Sequence, residues 1–199
     1  MISRRELMEP LKAVIAEDEQ LVRTIIRARL EKLGHTVVAE VEDGVQAVEA
    51  AKLHRPDVII MDIKMPLMDG IEAARLILED TPCAILFLSS FSEEELLDQA
   101  SETGALAYLM KPFRKEDLAP ALTMAVRRFK EIQNQQKEID TLKETLETRK
   151  LIERAKGILM DRHSMSESEA FKRIHFQARN QNKKMREIAQ SIITAAELI

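Results

Sequence analysis

Tryptophan is absent from the 199-residue chain, and tyrosine and cysteine occur once each. The single thiol, Cys83, excludes an internal disulfide and cannot build a thiolate metal cluster, which favours a reducing cytoplasm. Aromatic residues make up only 4%, which argues against an aromatic platform for stacking nucleic-acid bases. No apolar run approaches the ~18 residues of a membrane span; the longest, such as Ala84–Leu88, reach about five. The first ten residues carry Arg4, Arg5, Glu6 and Glu9 in place of the apolar centre of a signal peptide. No membrane association is expected.

What remains is 45% hydrophobic and 32% charged, enough to bury a core in one domain or two small ones. The net charge of −4 is unevenly spread. Residues 1–124 hold 14 Lys/Arg against 23 Asp/Glu, a balance of −9, while residues 125–199 hold 16 against 11, a balance of +5. An acidic body followed by a basic section suggests two modules with different partners.

Short apolar runs alternate with amphipathic stretches as far as about residue 129. The runs Ala13–Ala16, Val37–Val41, Val58–Met61, Ala84–Leu88 and Ala107–Met110 predict strands. Leu21–Leu33, Val45–His54, Ile71–Glu79, Glu93–Thr103 and Glu116–Lys130 predict the intervening helices. This is the pattern of an α/β doubly wound, five-stranded parallel sheet, whose strands are covered on both faces. An all-α section follows. Residues 125–160 contain no proline and one glycine, Gly157; Ile132, Ile139 and Leu146 recur every seven residues, with Leu142 between. Gln135 and Arg149 interrupt that seam, so pairing as a coiled coil and packing on its own domain both remain open. Ser166 and Glu169 form a capping-box pattern before Ala170–Ala178, and Met185, Ile188, Ala189, Ile192 and Ile193 mark a last helix. The predicted division is 11–130, a helical or coiled-coil linker over 131–150, and a three-helix domain over 151–199.

The chemistry falls at strand ends, where open α/β sheets place their ligands. Glu17 and Asp18 follow the first strand, Asp62 ends the third, Ser89 the fourth and Lys111 the fifth. In the strand order 2-1-3-4-5 these groups become neighbours. Clustered carboxylates repel unless neutralised, and such an oxygen-rich set suits Mg²⁺. A carboxylate, an ammonium and a hydroxyl beside a hard cation suit the receipt of a phosphoryl group, with Asp62 as the central acceptor.

The runs Ala16-Glu17-Asp18-Glu19, Met61-Asp62-Ile63-Lys64-Met65-Pro66-Leu67-Met68-Asp69-Gly70, Leu88-Ser89-Ser90 and Tyr108-Leu109-Met110-Lys111-Pro112-Phe113 resemble the receiver domain of two-component response regulators. The resemblance covers about residues 11–130 and implies a flavodoxin-like fold. It implies that Asp62 accepts a phosphoryl group from a histidine kinase. Asp18, Asp62 and the backbone carbonyl of Lys64 would bind Mg²⁺, with Glu17 acting mainly through water. Lys111 would pair with the phosphate, Ser89 would swing towards it, and Tyr108 would turn inward behind. The Lys111–Pro112 bond would be cis. Glu17 stands where Asp is commoner, and Ser89 where Thr is frequent.

After residue 130 no strand-like run and no metal-spaced cluster occurs, so an enzymatic output is not expected. His163 and His175 stand singly, as surface or core residues rather than ligands. The stretch Arg149–Ile193 resembles the ANTAR domain, a three-helix RNA-binding module linked to transcription antitermination. The resemblance is carried by Ile152-Glu153-Arg154-Ala155-Lys156-Gly157-Ile158-Leu159-Met160, Ser166-Glu167-Ser168-Glu169-Ala170-Phe171, Ile174, Ala178, Asn182-Lys183-Lys184-Met185 and Ile188-Ala189; His175 stands where Arg is frequent. Arg154, Lys156, Arg173, Arg179, Lys183, Lys184 and Arg186 are the candidate phosphate contacts, and Gly157 offers room for close backbone approach. Single-stranded hairpin loops are the expected RNA target. The resulting expectation is a cytoplasmic, phosphorylation-dependent antiterminator that forms a homodimer when phosphorylated. The alternative is a receiver-controlled interaction module whose helical tail docks a partner protein without RNA. No recognition-helix pattern for DNA is visible.

Overall fold

The structure, a computed structural model, describes residues 9–90 and 107–197. Five parallel strands form one sheet: β1 (Lys12–Ala16), β2 (Thr36–Val41), β3 (Val58–Asp62), β4 (Ala84–Ser90) and β5 (Ala107–Lys111), in the order β2-β1-β3-β4-β5. The helices are α1 (Gln20–Lys32), α2 (Gly44–His54), α3 (Gly70–Asp80), α4 (Leu118–His163), α5 (Glu167–Asn180) and α6 (Met185–Glu197). The α/β doubly wound sheet and the all-α section after it are therefore both present. The helix expected over Glu93–Thr103 lies outside the described residues.

The continuous apolar strands bury alternate side chains on opposite faces of the sheet. Val14, Ala16, Ile59, Met61 and Phe87 pack with Ala47, Ala51, Ala73, Ala74 and Ile77 of α2 and α3. Ala13, Ile15, Val58, Ile60 and Leu86 pack on the other side with Ile26 and Leu30 of α1 and Leu118 and Leu122 of α4. The alanines of α2 and α3 are small enough for close approach to the sheet. Asp43 and Asp69 cap these two helices by accepting the backbone N–H of Gln46 and Glu72, each at 2.8 Å.

Three strands outrun their apolar runs. Asp62 pairs in register with Leu88, Ser89 with Met110 and Ser90 with Lys111, so polar site residues sit within the ladder. Gly70 makes this end possible: a Cβ there would lie 2.1 Å from the Asp62 carbonyl oxygen. The Gly70 N–H instead donates to the Ile63 carbonyl at 2.8 Å.

The chain divides into two compact units between Gln133 and Asn134. In the second unit Ala155, Leu159, Ala170, Ile174, Ala178, Ile188, Ala189 and Ile193 form the core. The Ser166 cap forms as a full capping box, with the Ser166 N–H donating to Glu169 Oε2 at 2.8 Å. Helix α4 runs for 46 residues without a break at residue 150. Pro120 stands in its first turn, where no helical bond needs its missing N–H. A Cβ at Gly157 would meet no heavy atom within 4 Å, so no described part of this chain approaches it closely. Ile132, Ile139, Leu142 and Leu146 are all exposed along α4. Among the described residues no helix is long and apolar enough to cross a membrane.

Candidate functional site

The crossover between β1 and β3 brings the acids together. β1 pairs with both β2 and β3, so Glu17 and Asp18, just beyond its end, stand beside Asp62. One carboxylate oxygen from each of Glu17, Asp18 and Asp62 lies within 4.8 Å of the others. Lys111, at the end of β5, reaches across: its Nζ is 2.7 Å from Glu17 Oε2 and 3.0 Å from Asp62 Oδ2. Glu17 is fully buried at 0% exposure, whereas Asp18 faces solvent.

Burial pushes the Glu17 carboxyl up to about 7; the Lys111 ammonium opposes this, and the Asp62 charge adds to the rise. Burial also works against the Lys111 ammonium, but its hydrogen bonds to Glu17 and Asp62 prevail and hold its pKa above the ordinary value. Among the described residues, the Lys111 ammonium therefore sits between the Glu17 and Asp62 carboxylates. Three close carboxylates, one of them held high by burial and by a like charge, form a donor set that a hard divalent cation fits.

Ser89 is buried on β4, and its Oγ donates to the Ser90 carbonyl at 3.2 Å. Lys64 lies two residues beyond Asp62 in the loop before α3. Tyr108 is 56% exposed on β5, and the Lys111–Pro112 bond is cis. A group not foreseen from the sequence is Arg23, only 9% exposed. Its Nη1 donates to the backbone carbonyls of Glu17 at 2.5 Å and Asp18 at 2.8 Å, and its Nη2 to Glu42 Oε1 at 2.5 Å. The one available signal was an arginine on the first turn of α1, five and six residues after the acids.

The basic residues of the second unit divide by environment. Lys156 is 6% exposed and donates to Glu153 Oε2 at 2.9 Å and Glu167 Oε1 at 2.6 Å. It links α4 to α5, and its charge is engaged by these two acids. Arg154 pairs with Glu197 at 2.9 Å, and Arg186 stands 3.7 Å from Glu144. Arg173 and Arg179 on α5, with Lys183 and Lys184 in the turn before α6, are exposed. No ion pair to a described residue engages these last four.

A parallel sheet with an acid cluster at its strand ends is thus joined to a separate, all-helical unit. The model of the response regulator receiver domain matches residues 13–123, and that of the ANTAR domain matches residues 140–193. The chain belongs to the response-regulator family, with a receiver domain followed by an ANTAR domain. It is 46% identical over 184 residues to the transcriptional regulatory protein PdtaR of Mycobacterium tuberculosis, covering 92% of this chain and 90% of that one. Chemotaxis protein CheY of Bacillus subtilis is 38% identical over 112 residues, covering 56% of this chain and 93% of CheY. Among solved structures, the receiver domain of a sensor histidine kinase from Pseudomonas aeruginosa is similar at TM-score 0.54 and 30% identity. That match covers 59% of this chain and 98% of the other, which holds a magnesium ion in its active-site cleft.

Proposed function

We propose that this chain is a cytoplasmic transcription antiterminator controlled by phosphorylation of Asp62. The observation that carries the reading is the Asp62 carboxylate at the end of β3, flanked by Glu17 and Asp18 and held 3.0 Å from Lys111 Nζ. The working division is a receiver over 11–130, a helical linker over 131–150 and an ANTAR domain over 151–199.

A histidine kinase is the donor in this reading. A carboxylate oxygen of Asp62 attacks the phosphorus of a phosphohistidine, and the P–N bond breaks with its electron pair left on the imidazole. The product is an acyl phosphate on Asp62. Such a transfer needs alignment and counter-charge more than covalent assistance. Lys111 turns its ammonium from the two carboxylates to the new phosphoryl oxygens, and Ser89 supplies a hydroxyl donor. Mg²⁺ held by Asp18, Asp62 and the Lys64 carbonyl, with Glu17 through water, would offset the charge of acids and phosphoryl oxygens alike. Ser89 and Tyr108 then shift together, coupling the strand ends to the surface of β5.

The output is a homodimer whose two ANTAR domains bind RNA hairpin loops. The exposed Arg173, Arg179, Lys183 and Lys184 suit phosphate contacts. Arg154, Lys156 and Arg186 already hold acidic partners, which assigns them a smaller part. Two measurements test the reading. Asp62→Ala should lose labelling by radiolabelled acetyl phosphate and keep its fold; labelling at the wild-type level would exclude Asp62 as acceptor. Fluorescence anisotropy on a two-hairpin RNA should show tighter, salt-sensitive binding when Mg²⁺ and beryllofluoride are added. No binding to any hairpin would leave the helical tail as a docking site for a protein.

A further inference from the structure

The outward face of α5 borders an open groove of about 810 Å³, which extends to Met165 in the turn before the helix. Ala170, Ile174 and Ala178 occupy the buried side of α5. The opposite side should therefore be polar throughout, and it is not. Phe176 is 64% exposed and Phe171 45%, although each would gain by burial. Phe171 stacks on His175 with ring centroids 6.5 Å apart and planes 18° from parallel. Lys172, Arg173 and Arg179 lie four and three residues before Phe176 and three after it, so all three cations flank its ring on the helix surface. None of the three pairs with a described acid. Glu169, the one acid lining the groove among the described residues, is engaged by Ser166 in the capping box and also feels the Lys172 charge.

We infer that this aromatic, cationic face of α5 receives unpaired bases of an RNA loop, which stack on Phe176 and on the Phe171–His175 pair. This rests on the RNA reading above and deepens it, because phosphate contacts alone do not distinguish a loop from a helix. Bases present π faces to aromatic rings, while the flanking cations meet the backbone between them. An A-form helix keeps its bases stacked on one another and cannot use such a face, whereas a loop can splay them out. Charge complementarity selects the occupant: an apolar protein helix would leave Arg173 and Arg179 without partners. The low aromatic content of the chain argued against a stacking platform; the gathering of Phe171, His175 and Phe176 on one helix reverses that expectation for this face.

The test uses the full chain with Mg²⁺ and beryllofluoride and a pool of two-hairpin RNAs with randomised loops. Ultraviolet cross-linking followed by mass spectrometry should place loop nucleotides on Phe171, His175 or Phe176. Phe176→Leu keeps an apolar side chain at an exposed position and should weaken binding about tenfold with the salt slope unchanged. Arg179→Gln should instead reduce the salt slope by about one phosphate contact. Full affinity of Phe176→Leu with cross-links confined to other residues would overturn the stacking face and leave RNA binding intact. Failure of the wild-type chain to retain any of the pool would overturn the RNA reading itself. A shift in sedimentation of Phe176→Leu without RNA would assign the face to a second copy of the chain.

Discussion

The guanidinium of Arg23 holds the backbone of both acids that follow β1 and ties them to Glu42. Removing it would leave two carbonyls beside the site without their donor, and hydrogen bonds from a charged group contribute about 1.5–3 kcal/mol each. Arg23→Met should therefore lower stability by about 2 kcal/mol in urea unfolding and slow Asp62 labelling as well. Slower labelling with unchanged stability would refute the anchoring role. The acids themselves were legible because they end apolar runs at neighbouring strands. Arg23 was not, since an arginine on a polar helix turn looks like a solvated charge until its neighbours are placed. The same holds for Lys156, whose burial depends on α5 folding back to bring Glu167 to it. His35 offers a pH test: its Nδ1 accepts the Leu11 N–H at 3.3 Å, and burial holds its pKa below 6.5. The neutral ring thus contributes its full stability above pH 6.5, and the contribution is lost as pH falls through the depressed value. His35→Gln should make unfolding less pH-dependent between about pH 7 and 5 than in the parent chain.

Two glycines in regular or near-regular backbone carry opposite consequences. At Gly70, a Cβ would meet the backbone oxygen of Asp62 at 2.1 Å, and a strand in mid-sheet cannot give way. Gly70→Ala should cost about 2–3 kcal/mol, as overpacking does, and impair labelling of Asp62. At Gly157 a Cβ meets nothing within 4 Å in the interior of α4. Gly157→Ala should stabilise the second unit by about 0.5–1 kcal/mol, the difference in helix propensity. Thermal unfolding of both variants decides; a loss at residue 157 would mean that the glycine serves a partner. The contrast also shows where sequence reading stops. A lone glycine within a helical run and one after Asp69 look alike, and only the distance to another backbone separates them. Strand ends have a related cause: hydropathy stops at Met61, Leu88 and Met110, whereas ladder pairing continues through Asp62, Ser90 and Lys111. The unbroken α4 likewise follows from the absence of any interior proline, but nothing in the residues around 150 distinguishes a linker from the first helix of a domain.

On the proposed function, the acidic first section receives the signal and the basic second section contacts RNA phosphates. Their coupling, in the proposed function, passes through association of two copies. Ile132, Ile139, Leu142 and Leu146 expose an apolar seam along α4, interrupted by Gln135 and Arg149. A perfect heptad would pair permanently, whereas on this reading the interrupted one would give a weak dimer whose population a change in the receiver can shift. Once paired, the second ANTAR domain meets the second hairpin at an effective concentration in the millimolar range, and avidity gains of about a hundredfold or more follow. Replacing Ile139 and Leu146 together by Glu places like charges on a seam that is already exposed, so each protomer should fold normally. The double variant should remain monomeric in sedimentation with Mg²⁺ and beryllofluoride. It should bind a single hairpin as tightly as the parent chain and lose about a hundredfold in affinity for a two-hairpin RNA. A monomeric variant that keeps the two-hairpin advantage would show that one ANTAR domain grips both loops, and the role of α4 as a dimer switch would fall.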